Sequence, residues 1–503
     1  MNGIKATLAL IVIAISSLSC SKILGVSPDS STDVSMDSEE KIAELLTAAY
    51  PSASYFTFLE PRTDNVEERT GSIHIRLNEA MYFWEDYDQE DLDTPLSYWR
   101  TCYSGIAHAN QALELLATYP KTPRVKALYG EALLLRAYLH YMIANIWAEP
   151  YGYNAAEVPG IPYVTTPEKH ALVNYSRGTL EEVYEKIEAD LKLGITLVDD
   201  SFYSHPAFHF NKKAAYAFAV RFYLTVGDWE SVIAYADYVL GYRPEKALRD
   251  WERYRRELGY NFSALHTLYT SSQEPANLLL TTTESRIQRY LPVERYGMTR
   301  RLKDKIMKKS IDNSGIKTGD ADKKYMFVRS NPGSDGYYQS KFDETSLSGS
   351  TSSKPDGIFV TNVLFTTEEV MLARMEAYAM KGEYNRAIDD LLMYLQVKVG
   401  GELPVSDRSV YTSLKPQDAN VFTPFYGLST KQEALIRIIA DFRRKEFIHE
   451  GLRWFDIRRF HLPVTRSSRN PLYRPLQKND KRKILQLPDE AILKGLEPNP
   501  RDI

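Results

Sequence analysis

Two segments of the chain repeat each other, and this repeat limits the possible folds more than any other feature of the sequence. Residues 219–240 and 374–395 both read as a helix, a glycine-containing turn, an aromatic residue and a second helix, with Gly227 aligned on Gly382. Neither helix of such a pair can bury its apolar face alone, so each pair needs neighbouring helices to pack against. The repeat therefore predicts stacked helix pairs.

The repeated unit resembles the tetratricopeptide helix pair, and helical patterns continue well outside it. Apolar residues recur every three or four positions in 39–50, whereas 124–148 is apolar on most faces, as expected of a helix buried between neighbours. Pro95 favours a helix start for 95–118. The sequence predicts a mainly α fold whose tetratricopeptide-like pairs form an α-superhelical scaffold, located mainly in residues 39–260, 367–399 and 431–460.

Long polar and glycine-rich stretches separate the helical segments. Residues 261–366 and 400–430 form the two largest, and apolar runs at 278–283 and 357–365 predict a few short strands in the first. Long loops on a rigid scaffold commonly carry binding surfaces. We therefore expect these irregular inserts to face a ligand.

The first twenty residues have the pattern of an export signal. Lys5 precedes an apolar run over 6–15, which has the length of a signal-peptide core and is too short to span a membrane. Cys20 follows, as at a bacterial lipoprotein cleavage site, where the new N-terminal cysteine is acylated. The sequence predicts a lipoprotein signal peptide over 1–19 and a flexible tether over 20–38 that begins at acylated Cys20. The alternative is an ordinary secretory signal with a chance cysteine.

Charge and cysteine content exclude several classes of protein. The formal net charge of −4 lacks the basic excess that a nucleic-acid-binding protein needs, so we expect no nucleic acid among the partners. Cys20 and Cys102 are the two cysteines, too few for a four-cysteine zinc site or a disulfide framework. If Cys20 is acylated, Cys102 has no partner for a disulfide.

Motifs for catalysis or metal binding are weak throughout the chain. It lacks a G-x-G-x-x-G dinucleotide loop, a phosphate-binding loop and a G-x-S-x-G nucleophile elbow. His205 and His209 have a zinc-compatible spacing, but Pro206 lies between them, so packed or surface histidines are the better interpretation. Asp320 and Asp322 match only the start of a calcium loop. The sequence predicts no catalytic residue, metal or cofactor, although a glycosidase carboxylate pair stays open.

Charged and aromatic residues alternate densely in residues 438–460. A helix is predicted to end near Glu450, with Gly451 as its left-handed stop. Arginine cannot act as a general base, so we interpret the segment as a structural network of arginines and carboxylates. Loss of Arg453 or Asp456 is therefore predicted to lower stability rather than ligand affinity.

This segment resembles the signature of the SusD/RagB family of outer-membrane nutrient-binding lipoproteins. The matching residues are Arg443, Glu446, Phe447, Glu450, Gly451, Arg453, Trp454, Asp456, Arg458 and Arg459. Phe442 departs from the family pattern, in which glutamate is frequent at that position. Further stretches agree with the family in the right order, and they are Trp99 to Asn110, Arg136 to Tyr138, 150–152, 160–162, Gly227 to Trp229 and 485–500.

The resemblance implies a single SusD-like domain over 39–503 that has no enzymatic activity. Family members are lipid-anchored on the outer membrane of Bacteroidetes-type bacteria and exposed at the cell surface. They bind oligosaccharides, or in some cases peptides, and deliver them to a partner SusC-like, TonB-dependent outer-membrane transporter. We expect glycan binding for uptake here as well. The alternatives are a peptide-binding member of the family, a surface glycoside hydrolase and a scaffold that binds only protein.

The resemblance also locates the ligand face, on residues 60–88 and the large middle insert. Aromatic rings stack on sugar rings, while carboxylate, amide and guanidinium groups bond sugar hydroxyls. The alternative for Trp84 and Tyr87 is a place in the core between helices. The predicted ligand-binding residues are Arg62, Asp64, Asn65, Trp84, Asp86, Tyr87, Tyr290, Tyr296, Tyr337 and Tyr338.

Overall fold

The computed structural model describes residues 38–70, 73–168, 175–259, 261–307, 328–331, 335–346, 357–399 and 421–501. The predicted signal peptide over 1–19, Cys20 and nearly all of the 20–38 tether lie outside the described residues. Asp320, Asp322 and most of the 400–430 insert also lie outside them.

Helices form most of the described structure. In chain order they are α1 (Glu39–Thr47), α2 (Phe56–Leu59), α3 (Arg76–Tyr82), α4 (Pro95–Thr118), α5 (Pro123–Trp147), α6 (Leu180–Leu197), α7 (Lys212–Val226), α8 (Trp229–Leu240), α9 (Pro244–Ala247), α10 (Trp251–Leu258), α11 (Leu265–Tyr269), α12 (Ile287–Tyr290), α13 (Arg300–Met307), α14 (Thr367–Met380), α15 (Tyr384–Val399), α16 (Thr430–Glu446), α17 (Leu452–Arg459) and α18 (Asp489–Leu493). The strands are β1 (Glu67–Glu68), β2 (Asn277–Glu284), β3 (Tyr296–Gly297), β4 (Val328–Asn331), β5 (Gly336–Gln339), β6 (Glu344–Ser346) and β7 (Ile358–Thr366).

The two longest helices begin and end where the sequence predicts. Pro95 and Pro123 occupy first helical positions, where a missing N–H costs nothing. The Thr94 hydroxyl accepts the Ser97 N–H at 3.2 Å and so caps α4. Helix α5 is buried on nearly all faces between its neighbours α4 and α6, as its apolar sequence indicates.

Two helix pairs match the predicted repeat. Gly227 joins α7 to α8 with φ +79°, and Gly382 joins α14 to α15 with φ +77°, a conformation that glycine adopts without strain. Helix α8 also packs on α14, so the pairs stack despite the long sequence between them. The prediction of a mainly α fold with tetratricopeptide-like pairs and few short strands is confirmed.

The middle insert contains regular structure. Strands β2 and β7 pair antiparallel, with Thr281 opposite Asn362, which confirms both predicted strands. Strand β6 pairs with the other edge of β7, and β1 pairs with β3 across more than two hundred residues of sequence. The insert is therefore held to the scaffold and to the N-terminal loops by backbone hydrogen bonds.

The hydrophobic core extends from Ile42 in α1 to Leu496 near the end of the chain. Trp99 and Trp147 lie fully buried within it, with ring centroids 5.1 Å apart. Cys102 is a buried free cysteine in α4. Among the described helices, none has both the length and the apolar character needed to cross a membrane.

The end of α16 differs from the prediction. The helix stops at Glu446 rather than near Glu450, and Gly451, which is left-handed at φ +69°, precedes α17. The Glu60 carboxylate accepts the N–H groups of His449 and Gly451 at 2.9 and 3.0 Å. These bonds hold the chain in a turn, and this long-range partner ends the helix earlier than local sequence indicates.

Candidate functional site

The N-terminal loops and the middle insert meet on one side of the molecule, which we call the loop face (residues 60–70, 73–88, 287–298 and 466–482). Glu67 and Glu68 pair with Gly297 and Tyr296 in the two-stranded sheet of β1 and β3. The Arg69 guanidinium donates to the Glu294 carbonyl at 2.8 Å. The two segments that were predicted to form the ligand face therefore lie in contact.

A cleft of about 680 Å³ opens on the loop face. This volume lies within the usual range for a small-molecule pocket. Its walls combine aromatic rings with charged side chains, and they include Phe83, Trp84, Asp86, Arg474, Asp480, Arg482 and Arg501. We call it the loop-face cleft.

Trp84 forms the floor of the loop-face cleft. It is only 2% exposed and has a left-handed backbone, φ +57°, which costs a bulky residue on the order of 1–3 kcal/mol. Its indole N–H donates to the Arg62 carbonyl at 2.9 Å, and the Arg466 guanidinium lies 4.3 Å from the ring centroid. These contacts hold the backbone of Trp84 in its strained conformation.

Two buried arginines fix the loops that support Trp84. Arg466 donates to the carbonyls of Pro61 and Tyr82 at 2.8 and 3.0 Å, and Arg62 donates to the Arg482 carbonyl at 2.5 Å. Burial lowers the pKa of Arg62 to about 9 and that of Arg466 to about 10. Both values leave the side chains charged at neutral pH, so they act as fixed donors to backbone carbonyls.

Charged pairs line the rim of the loop-face cleft. Asp86 accepts two hydrogen bonds from Arg501, at 2.6 and 2.9 Å, and about half of its side chain stays exposed. Asp480 pairs with Arg482 at 2.6 Å. Burial acts to raise the pKa of Asp480, but bonds from Arg482 and from backbone N–H groups lower it below its ordinary value. The rim therefore offers fixed ionic hydrogen-bonding groups to a ligand.

Asp64 and Asn65 face the C-terminal helices instead of the cleft. Arg453 binds Asp64 in a bidentate pair at 2.8 and 3.0 Å, and Arg444 donates to the Asn65 amide oxygen at 2.7 Å. Burial opposes ionisation, but Arg444 and Arg453 hold the pKa of Asp64 well below its usual range. Their partners make these two residues structural ties between the loop face and α16–α17.

The predicted tyrosines do not line the loop-face cleft, and Tyr337 and Tyr338 lie outside the loop face. Tyr296 is buried and stacks on Tyr82 with centroids 4.4 Å apart. Tyr338 is buried, while Tyr337 is half-buried with Lys303 at 5.2 Å from its ring. Tyr87 is also half-buried.

Tyr290 borders a small cavity that shares no lining residue with the loop-face cleft. The cavity has a volume of about 20 Å³, the size of one water molecule, and is also lined by Glu60, Glu294 and His449. Of the ten predicted residues, the structure thus brings Trp84 and Asp86 to one cleft, with Arg62 beneath them. Ligand contact by all ten remains a prediction.

Sequence reasoning missed the far wall of the cleft. Arg474, Asp480, Arg482 and Arg501 come from the last thirty residues of the chain. The charged run at 478–483 was an available signal, but nothing local indicates that it lies beside Trp84. Only the tertiary fold brings residues 474–501 next to residues 83–86.

Of the two histidines with a zinc-compatible spacing, His205 is exposed and His209 has structural contacts. His209 is bonded to the buried Glu131 carboxylate at 2.8 Å, and its ring stacks on Tyr203 with centroids 4.5 Å apart. Within the described ranges, no group of three or more His, Cys, Asp or Glu residues is arranged to hold a metal ion.

Family models match most of the chain. Residues 22–224 match a SusD-like model described as "Starch-binding associating with outer membrane", and residues 233–488 match the model described as "SusD family". No curated protein matches the chain significantly.

Solved structures from Bacteroides share the fold. A SusD superfamily protein of Bacteroides thetaiotaomicron superposes with a TM-score of 0.68 at 17% identity, over 92% of this chain and 100% of that one. A putative sugar binding protein of Bacteroides vulgatus gives 0.65 at 18% identity, over 92% and 97%. A SusD-like carbohydrate binding protein of the same species gives 0.63 at 16% identity, over 91% and 96%.

Proposed function

Because this chain belongs to the SusD family, we propose that it binds oligosaccharides at the cell surface, without enzymatic activity, and delivers them to a partner TonB-dependent outer-membrane transporter. The observation that carries the proposal is the loop-face cleft, which has the volume of a ligand pocket and an aromatic floor. Two solved structures that share the fold are named a putative sugar binding protein and a SusD-like carbohydrate binding protein, which supports the proposal.

The chemistry of the cleft suits a saccharide. Phe83 and the edge of Trp84 supply apolar surface for the C–H face of a sugar ring. Asp86, Arg474 and Arg482 offer acceptors and donors for hydroxyl groups around that surface. Pairing to Arg501 and Arg482 keeps the rim carboxylates in place before a ligand arrives, so little ordering is needed on binding.

The rim is less suited to hydrolysis of a glycoside. A general acid in a glycosidase needs a carboxyl whose pKa is raised, so that it holds a proton near neutral pH. Asp480 has the opposite shift, because Arg482 and backbone N–H groups stabilise its charged form. This favours binding over bond cleavage.

Attachment to the outer membrane is part of the same proposal. Acylated Cys20 and the 20–38 tether would hold the folded part close to the membrane, where a transporter could receive the ligand. One matching family model is described as associating with the outer membrane.

A binding screen with the full chain, purified in detergent, tests the proposal. The probes are maltoheptaose, cellohexaose, xylohexaose, mannohexaose and laminarihexaose, together with a set of tri- to hexapeptides. We expect saturable binding of an oligosaccharide and no release of shorter sugars. Binding of peptides alone would favour the peptide-binding alternative, and release of shorter sugars would favour the hydrolase.

Substitutions then locate the binding. Asp86→Ala and Arg474→Ala should each weaken affinity about tenfold or more, because each removes a charged hydrogen-bonding group at the rim. Asp91→Ala is the matched control, because Asp91 is an exposed carboxylate of the same segment that pairs with Arg286 outside the cleft. Equal affinity for all three variants and the unmodified chain would contradict a site at the loop-face cleft.

A further inference from the structure

A second cleft opens beside the helix pairs, between α8 and the α14–α15 hairpin. Its volume is about 660 Å³, and it shares no lining residue with the loop-face cleft. Asp237, Tyr238 and Tyr242 come from α8 and the turn after it, and Arg374 and Arg386 come from α14 and α15. We call it the tyrosine cleft.

Exposed aromatic rings form one rim of the tyrosine cleft. Tyr238 is 67% exposed and Tyr242 is fully exposed. Tyr238 keeps its orientation because its ring stacks on Tyr216, with centroids 4.9 Å apart and planes 17° apart. Gly241, at φ +63°, ends α8 and allows the sharp turn that carries Tyr242 outward. Two phenol rings are thus presented to solvent beside a concave surface.

A buried arginine forms the floor of the tyrosine cleft. Arg374 binds Asp390 in a bidentate pair at 2.8 and 2.9 Å, and it donates to Asp237 at 2.8 Å. Arg374 and Asp390 are nearly buried, whereas half of the Asp237 side chain is exposed. The three groups are held in fixed positions, and Asp237 retains acceptor capacity toward the cleft.

The opposite rim has a fixed donor. Arg386 stacks over the Tyr378 ring at 4.1 Å, donates to the Tyr378 hydroxyl at 2.6 Å and donates to Glu383 at 2.7 Å. More than half of the Arg386 side chain is exposed. A guanidinium that is already oriented by its neighbours loses little freedom when it also binds a ligand.

We propose that the tyrosine cleft is a second oligosaccharide-binding site. Exposed phenol rings offer stacking surface for sugar rings, and the fixed carboxylate and guanidinium groups between them offer partners for hydroxyls. Positive and negative side chains nearly balance along the lining, which favours a neutral ligand over a charged one. The class of ligand in this inference rests on the proposed function, whereas the location of the site rests on the tyrosine cleft itself.

Two sites on one chain have a consequence for long glycans. Binding at one site makes binding at the second intramolecular, provided that the glycan spans both, and overall affinity then rises without any new contact. A long glycan should therefore bind the chain more tightly than a short one of the same linkage, and this gain should require both clefts.

The test uses the full chain in detergent and the five oligosaccharides named above, with isothermal titration calorimetry to count sites. Tyr238→Ala, Tyr242→Ala and the double variant alter the tyrosine cleft, and Asp86→Ala alters the loop-face cleft. Tyr153→Ala is the matched control, because Tyr153 is 83% exposed and lies outside both clefts. Thermal unfolding should be unchanged in all of them, because the substituted side chains are exposed.

The expected result is two sites per chain in the unmodified protein. Each single tyrosine variant should weaken one site about 5- to 10-fold, and the double variant should leave one site, with no change for Tyr153→Ala. If this remaining site is lost when Asp86 is also substituted, the two sites lie in two separate clefts.

Other outcomes separate the two proposals. One site that is lost in Asp86→Ala and unaffected by the tyrosine variants overturns the second site and supports the first. One site that is lost in the double tyrosine variant and unaffected by Asp86→Ala supports the second site and overturns the first. No binding of any of the five probes to the unmodified chain overturns both. A double variant that keeps its saccharide sites but no longer co-purifies with a partner protein overturns the inference in favour of a protein-docking surface.

Discussion

Asp456→Ala removes a fully buried carboxylate from the segment whose sequence we interpret as structural. Arg459 donates to Asp456 at 2.9 Å, and the Arg443 guanidinium lies 3.2 Å from its second oxygen. Arg443 also donates to Glu369 of α14 at 3.0 Å. Asp456 therefore belongs to a chain of alternating charges that joins α14, α16 and α17.

The size of the effect follows from this burial. Removal of one partner from a buried ion pair typically costs 3–5 kcal/mol, because the remaining charge has neither its partner nor water. Two arginines lose a carboxylate here, so we expect the unfolding free energy to fall by about 3–5 kcal/mol. Urea denaturation followed by circular dichroism measures this as a lower midpoint. Oligosaccharide affinity of the folded variant should stay close to that of the unmodified chain, because Asp456 does not line either cleft.

Asp91→Ala provides the matched control. Asp91 also forms an ion pair, with Arg286, but more than half of the Asp91 side chain and a third of the Arg286 side chain are exposed. Pairs of this kind contribute roughly 0–1 kcal/mol, so the midpoint should hardly move. Equal stability losses for the two variants would show that burial of Asp456 is not the cause. Full stability of Asp456→Ala together with lost binding would contradict the structural interpretation of the whole segment.

Three further predictions concern a buried carboxyl, the anchor and a helix turn. Burial raises the pKa of Glu294 from 4.5 to about 8, so the folded chain holds a proton that the unfolded chain releases, and this contribution to stability is lost as pH rises from about 4.5 to 8. In Glu294→Gln, the free energy of unfolding should fall by roughly 3 kcal/mol less between pH 5 and 8 than in the unmodified chain, as measured by urea unfolding at several pH values. The same pH dependence in both proteins would contradict the raised pKa. Cys20→Ser should move the protein from the membrane fraction to the soluble exported fraction, while Cys102→Ser should not, as judged by fractionation and immunoblotting. Gly382→Ala should cost about 1 kcal/mol through backbone strain alone, because a Cβ there meets nothing within 4 Å, and Gly382→Asn should cost less because asparagine tolerates this conformation better.

Local sequence was sufficient for the scaffold. Proline at the first helical position, a threonine cap before it and a glycine at each paired turn act within a few residues, so α4, α5 and the two hairpins could be placed from the sequence. The strands β2 and β7 were predictable for the same reason, because their apolar runs are bounded by polar segments. The end of α16 was not, because its turn depends on Glu60, almost four hundred residues away.

The site was less predictable than the fold. Trp84 and Asp86 were chosen as an aromatic and a carboxylate in one loop, and both do border the loop-face cleft. The sequence could not show that Trp84 lies under the cleft and donates its indole N–H to the Arg62 carbonyl. It also could not show that Arg482 and Arg501 form the opposite wall. In the middle insert, Tyr290, Tyr296, Tyr337 and Tyr338 were chosen by residue type alone. The burial of Tyr296 and Tyr338 depends on tertiary contacts that no local pattern records.

Hydrogen bonds link residues 438–460 to the loop that supports the loop-face cleft. Arg453 binds the Asp64 side chain, and Arg444 binds the Asp64 carbonyl at 2.6 Å together with the Asn65 amide. Asp64 lies two residues from Arg62, whose carbonyl holds the Trp84 indole at the cleft floor. The arginines of α16 and α17 thus fix the loop whose backbone carbonyl holds the buried Trp84 ring in place. A segment without a catalytic role can shape a binding site in this way, because the geometry of a loop site depends on the rigid elements to which the loop is tied.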